Sequence, residues 1–370
     1  MTLMTKTTGL CALASVLAAG SASAERISFN VWVPPSEVIV TALFEPYFEA
    51  VEQATDGEAR FQLFTAGQML GPLNTMQGVR DGAVSGGMID ASYYGNDLPY
   101  TATFSDLIAF APDPVAGAGA SLETFFHDCP ECLAEMAENN LIALGGSATA
   151  PYTIMCAKEI GSLDDLKGLR IRGSIDFHFA LINALGANGV NIPFGDIAQS
   201  FERGNVDCML GGPTWMETFG ITELIETRLS TVSFGTISLP AMMSFQRSAW
   251  EGWSEEIRSA MIAALPEYIA NGTIAVMEND EKAAATAREA GMAEVDLGQS
   301  IVDLREAFLV SERARVIEAG KARGAEDVEA LLDRFLANYA EWEALSEQIG
   351  GDRAAFADAL RARVYDDLPM

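Results

Sequence analysis

The chain of 370 residues carries 52 Asp and Glu against 23 Lys and Arg, a formal net charge of −29. Such a surface repels phosphate backbones and lacks the clustered cations that nucleic-acid binding requires, so no nucleic-acid partner is expected. Hydrophobic residues make up 49%, which excludes a disordered chain, and the length exceeds what one core ordinarily holds, so two domains are expected.

Residues 1–24 open with Lys6, continue through the apolar run from Leu10 to Ala19 and end in Ala22-Ser23-Ala24. That is the pattern of a secretory leader cleaved after Ala24, and it places the mature chain in the periplasm. The apolar run is shorter than the roughly 20 residues a membrane anchor needs, and Thr8-Gly9-Leu10 before Cys11 does not read as a lipoprotein box. No later stretch reads as long and apolar enough to cross a membrane.

Beyond the leader, strand-like and helix-like segments alternate, as in an α/β protein with largely parallel sheets. Ile27–Val33 reads as a strand halted by Pro34-Pro35, and Val38–Thr55 as a helix with Leu43, Phe44, Tyr47, Phe48 and Val51 at helical spacing. Strand Ala59–Phe64, helix Leu73–Asp81 and strand Met88–Tyr94 follow, with Val84-Ser85-Gly86-Gly87 read as a loop before the last. The rhythm continues with strand Pro151–Ala157, a helix start at Ser162-Leu163-Asp164-Asp165, strand Leu169–Arg172, helix Phe177–Leu185, strand Val190–Pro193, helix Gly195–Glu202 and strand Val206–Leu210. From Ser254 onward the pattern is mostly helical.

Four cysteines follow the leader: Cys129, Cys132, Cys156 and Cys208. In an oxidising compartment an even count suggests two disulfides. Cys129-Pro130-Glu131-Cys132 lacks the strand and helix of a redox motif and reads as a small structural loop. Elimination then leaves Cys156 for Cys208, although four cysteines allow three connectivities.

Leu163-Asp164-Asp165-Leu166-Lys167-Gly168-Leu169-Arg170-Ile171-Arg172 resembles the substrate-binding subunit of tripartite ATP-independent periplasmic (TRAP) transporters, the DctP-like family. Ala66-Gly67-Gln68-Met69-Leu70-Gly71, with Gly78-Val79-Arg80-Asp81-Gly82 and Ile89-Asp90, is similar to the family's amino-terminal pattern. Gly186-Ala187 through Pro193-Phe194-Gly195-Asp196, then Phe201 to Asp207, is similar to its segment before the hinge. The matches run from about residue 27 to about residue 300.

The resemblance implies a periplasmic binding protein-like fold: two α/β domains joined by a hinge of crossing strands and a long connecting helix, with the ligand in the cleft between the lobes. Residues 25–150 with about 239–280 would form domain I, and 151–238 with about 281–370, including the C-terminal helices, domain II. It also implies a small carboxylate as ligand and two membrane permease subunits, small and large, as partners. No cofactor and no metal site is expected from the sequence.

By the same resemblance Arg172 clamps the ligand carboxylate, a task that suits a planar, permanently charged fork of donors. Trp32, Tyr93, Tyr94, Tyr152, Phe194, Trp215 and Gly212 are carried over as cleft residues, the aromatics forming an apolar box with polar tips. Tyr152 stands where the family often has a second arginine, and Gly211-Gly212 where it often has asparagine. One arginine among aromatics points to a monocarboxylate with an apolar, aromatic or weakly cationic body, an ectoine-like zwitterion included. A dicarboxylate or keto acid is the alternative ligand, and a receptor for an ATP-driven system or a sensor kinase the alternative role. No enzyme is expected: His127 and His178 stand far apart, without a nucleophile or carboxylate pair at catalytic spacing.

Overall fold

The computed structural model describes residues 24–368; the expected leader, up to Ser23, lies outside them. Among the described residues eleven strands form two sheets: β1 Glu25–Asn30, β2 Ala59–Phe64, β3 Gly86–Met88, β4 Leu141–Ala148, β5 Thr153–Cys156, β6 Arg170–Gly173, β7 Asn188–Asn191, β8 Cys208–Gly211, β9 Thr227–Leu229, β10 Ser238–Gln246 and β11 Ala293–Val295. The first sheet has the order β2-β1-β3-β10-β4 and the second β11-β9-β5-β8-β6-β7. In the first, β1 is parallel to both β2 and β3, and β10 runs antiparallel to β3 and β4. In the second, β6 is parallel to β7 and β8, while β5 opposes β8 and β9.

The chain passes from the first sheet to the second between β4 and β5 and returns between β9 and β10. The two passages run side by side, tied by Thr149 N to Ile237 O at 2.9 Å, Tyr152 N to Gly235 O at 2.8 Å and Phe234 N to Tyr152 O at 2.9 Å. Each sheet has its own core. Ile27, Phe29, Phe44, Phe48 and Phe245 pack on the first, and Ile154, Leu166, Ile171, Leu181 and Leu210 on the second.

Several expectations are corrected. The segment Met88–Tyr94 is not one strand: β3 ends at Met88, and Asp90 accepts the Ser92 amide at 2.9 Å, turning Ala91–Tyr94 into a 3-10 helix. Gly86 and Gly87, read as loop, lie inside the sheet. A Cβ on Gly86 would strike Phe245, and one on Gly87 would strike Thr75, so close packing rather than a turn explains the pair.

The helix Glu255–Glu289 is, contrary to expectation, apolar and long enough to span a bilayer by composition alone, with a mean hydropathy of 1.3 over its best window. Here Ile257, Met261, Leu265, Ile269 and Ile274 are buried in the core, which accounts for that apolarity. The C-terminal helices also depart from the expected grouping with the second domain. Val328–Ile349 lies against Pro114–His127, with Trp342 Nε1 donating to Glu123 at 2.6 Å, and Arg353–Leu360 lies against Glu255–Glu289. Leu331, Leu332, Phe335 and Trp342 bury an apolar stripe there.

Both disulfides take the expected pairing, Cys129 with Cys132 and Cys156 with Cys208. The second joins directly opposed residues of β5 and β8. The first caps the helix Pro130–Glu138.

Candidate functional site

The carboxyl ends of β1, β3, β6 and β8 converge on a cavity of about 910 Å³, part of it open to solvent, whose floor is the paired passage between the sheets. Strand ends are where α/β folds expose backbone and side chains free to meet a ligand.

Arg172 stands near the end of β6 and is only 2% exposed. Its Nε donates to Ile192 O at 3.0 Å, its guanidinium carbon lies 5.5 Å from the Trp215 ring centroid, and Nη1 has no protein partner. Burial lowers its pKa, a pull opposed by Tyr152, Tyr93 and Asp90, yet a guanidinium stays charged. Two residues earlier, Arg170 is occupied by a two-pronged contact to Asp207 at 3.0 Å on each prong. Of the two motif arginines, only Arg172 reaches the cavity.

An aromatic wall surrounds it. Trp32, past the end of β1, donates from Nε1 to Met88 O at 3.0 Å and meets Tyr93 and Phe194 edge-on, at centroid separations of 6.1 and 5.7 Å. Phe194 opens a 3-10 turn after β7 and meets Trp215 at 5.2 Å. Tyr152 lies on the passage, edge-on to Trp215 at 5.4 Å and stacked on His178 at 5.5 Å. His178 accepts the Ser174 amide on Nδ1 at 3.1 Å, and its buried Nε2 has no partner. Burial first, then Arg172, holds its pKa well below the usual value, so the imidazole is neutral and serves as backing for Tyr152.

Three carboxylates that sequence reasoning did not assign also line the cavity: Glu37, Asp90 and Asp280. Asp280, on the long helix, accepts from Thr214 N at 2.8 Å and from the Thr214 hydroxyl. Burial pushes it up to about 6 against those bonds, and Glu37 adds to the rise. Glu37 and Asp90 are raised as well, burial again being the largest cause. Gly212 makes room for this arrangement, since a Cβ there would stand 2.8 Å from Asp280 Oδ2.

Of the cleft residues expected from sequence, Arg172, Trp32, Tyr93, Tyr152, Phe194, Trp215 and Gly212 line the cavity. Tyr94 does not. Its hydroxyl donates to Pro72 O and accepts the Met76 amide at 3.2 Å, because the 3-10 turn sends consecutive side chains to different sides. The missed Asp280 had a signal: it shares a helical face with Thr273 and Ala287, seven residues to either side and both buried, so an acid interrupts a buried stripe.

A family model described as bacterial extracellular solute-binding protein, family 7 (DctP), matches residues 29–307. The chain belongs to this family. Its members are solute receptors and not a class of enzyme. A curated solute-binding protein from Albidiferax ferrireducens is 19% identical over 263 residues, 68% of this chain and 73% of that one. A marine-metagenome TRAP solute-binding protein specific for aromatic acid ligands, crystallised with 3-hydroxybenzoate, superposes with a TM-score of 0.77 at 20% identity, over 86% of this chain and 99% of its own. One from Rhodoferax ferrireducens, in complex with copurified benzoate, gives 0.76 at 17% identity over 87% and 99%. A third, specific for pyroglutamate, gives 0.73 at 16% over 84% and 98%. At these identities the likeness carries the two-lobed fold.

Proposed function

We propose that the receptor is exported, with cleavage after Ala24, captures a small organic acid between its lobes, and delivers it to the small and large membrane subunits of a TRAP transporter. One observation carries the reading: Arg172 is buried at the cavity wall with Nη1 unpaired. Leaving a guanidinium donor dry and unmatched is costly, and an incoming carboxylate removes that cost with a charge-assisted bond. The surrounding Trp32, Tyr93, Tyr152, Phe194 and Trp215 supply flat apolar walls for the body of the acid. That similar folds hold 3-hydroxybenzoate, benzoate and pyroglutamate supports the same class of cargo.

The lobes, 25–150 with about 239–280 and 151–238 with part of the remainder, would close by bending at the paired passage near Thr149 and Ile237. A thermal-shift screen of the mature protein against organic acids, amines and neutral sugars tests the reading. Acids should raise the melting temperature and sugars should not. Arg172→Ala should abolish the acid response in a folded protein; an unchanged response would remove Arg172 from the site. Sequencing the amino terminus of the periplasmic form checks cleavage after Ala24.

A further inference from the structure

The charge inventory of the cavity narrows the cargo. Among the described residues lining it, one cation, Arg172, faces three carboxylates, Glu37, Asp90 and Asp280. None of the three is in an ion pair, although Arg170, Lys158 and Arg228 elsewhere in the same lobe all are. Asp90 is the carboxylate whose charge Arg172 feels; Asp280 feels first Arg228, which lies outside the cavity lining and is paired with Glu294, and then Glu37.

Arg172 and Asp280 line the same cavity, and one contact chain links them. Trp215, whose ring lies beside the Arg172 guanidinium, directly follows Thr214, whose amide and hydroxyl hold Asp280. Adjacent residues are only about 3.8 Å apart along the backbone. Between the two charges stand aromatic faces of the kind that stabilise a bound cation as well as an apolar ring.

We infer that the cargo is a monocarboxylate that also bears a positively charged amino or amidinium group, its carboxylate on Arg172 and its cation on the Glu37 and Asp280 side. This rests on the acid-capture reading and refines it. A plain aromatic acid would leave the buried Asp280 and the half-buried Glu37 without an ion-pair partner in the cavity. A dicarboxylate would press its second anion against them, and like charges in a dry site repel strongly. The raised pKa values of Glu37 and Asp280 fit carboxylates waiting for a cation.

Titration calorimetry on the mature protein at pH 7.5 tests it with matched probes. These are proline against cyclopentanecarboxylate, pipecolate against cyclohexanecarboxylate, and 3-(aminomethyl)benzoate against 3-methylbenzoate, with succinate and glutarate as dicarboxylates. At least one amino-bearing probe should bind about tenfold or more tightly than its neutral partner, as expected for a desolvated charge pair. Asp280→Asn should bring that ratio to within about threefold, because the amide oxygen can still accept from Thr214 while the charge is gone. Should that variant fail to fold, Glu37→Gln reads the same ratio. If neutral acids or dicarboxylates bind as tightly or more tightly, the inference falls and acid capture stands. If no acid of any kind binds, acid capture falls and takes the inference with it.

Discussion

Thr218 donates its hydroxyl to Glu37 Oε2 at 2.7 Å, joining the helix that follows β8 in the second sheet to the loop that follows β1 in the first. Together with the edge contact of Trp32 on Phe194, it is a direct tie between the lobes at the cavity. Thr218→Val keeps the shape and removes the donor. A hydrogen bond to a charged acceptor contributes about 1.5–3 kcal/mol, part of which water recovers when the cleft opens. The variant should therefore raise Kd about three- to tenfold, mainly through faster release, which stopped-flow fluorescence of Trp32 and Trp215 reports.

Lysine at position 172 separates charge from geometry. It keeps a cation, but its donors sit on one nitrogen and cannot reproduce the fork that holds Ile192 O from Nε while Nη1 faces the acid. Truncating one member of a buried charged pair costs about 2–5 kcal/mol. Arg172→Ala should weaken binding at least about thirtyfold, and Arg172→Lys should recover only part of it, as calorimetry would show.

Acidity should act on Asp280 in two opposite ways. Its folded pKa is about 6 against an ordinary 3.8, so protonation favours the folded state. The stability it contributes is fully present below about 3.8 and is lost as the pH rises through about 6. Binding of an amino-bearing acid requires the ionised form, so affinity should fall below pH 6 by up to about tenfold per unit. Asp280→Asn should reduce both pH dependences, with Glu37 and Asp90, also raised by burial, leaving a remainder; thermal melts and calorimetry from pH 5 to 7.5 measure them.

The two disulfides should differ in weight. Cys156–Cys208 spans 52 residues and Cys129–Cys132 only 3, and the restriction a crosslink places on the unfolded chain grows with the loop it closes. Replacing Cys156 and Cys208 together by alanine should cost about 2–4 kcal/mol, visible as a lower denaturant midpoint. The Cys129 and Cys132 pair should cost clearly less.

Tyr93 and Tyr94 form a built-in control. Tyr93→Phe alters the cavity wall and should change Kd. Tyr94→Phe removes only the bonds to Pro72 and Met76 and should lower stability by about 1 kcal/mol with affinity intact.

Sequence reasoning reached most of the cavity because strand ends and a motif arginine are local signals. Arg172, Trp32 and Phe194 each lie at or just past a strand that the sequence pattern places. The carboxylates were harder to find, since Glu37, Asp90 and Asp280 come from a loop, a turn and a helix that only the folded chain brings together. β3 was misplaced for a different reason: Gly86 and Gly87 have the composition of a turn, and only Phe245 and Thr75 crowding against them reveals a strand. The C-terminal helices carry apolar stripes that announce burial without naming the surface that receives them.

The helix Glu255–Glu289 has 35 residues, roughly 50 Å of rod, and packs against the helix Glu45–Ala54 at one level and against Thr214–Thr218 at another. Asp280 is mounted on this rod, not on either sheet. The negative charge it brings to the cavity is therefore carried by a strut that touches both halves of the molecule, and not by the rim of either sheet.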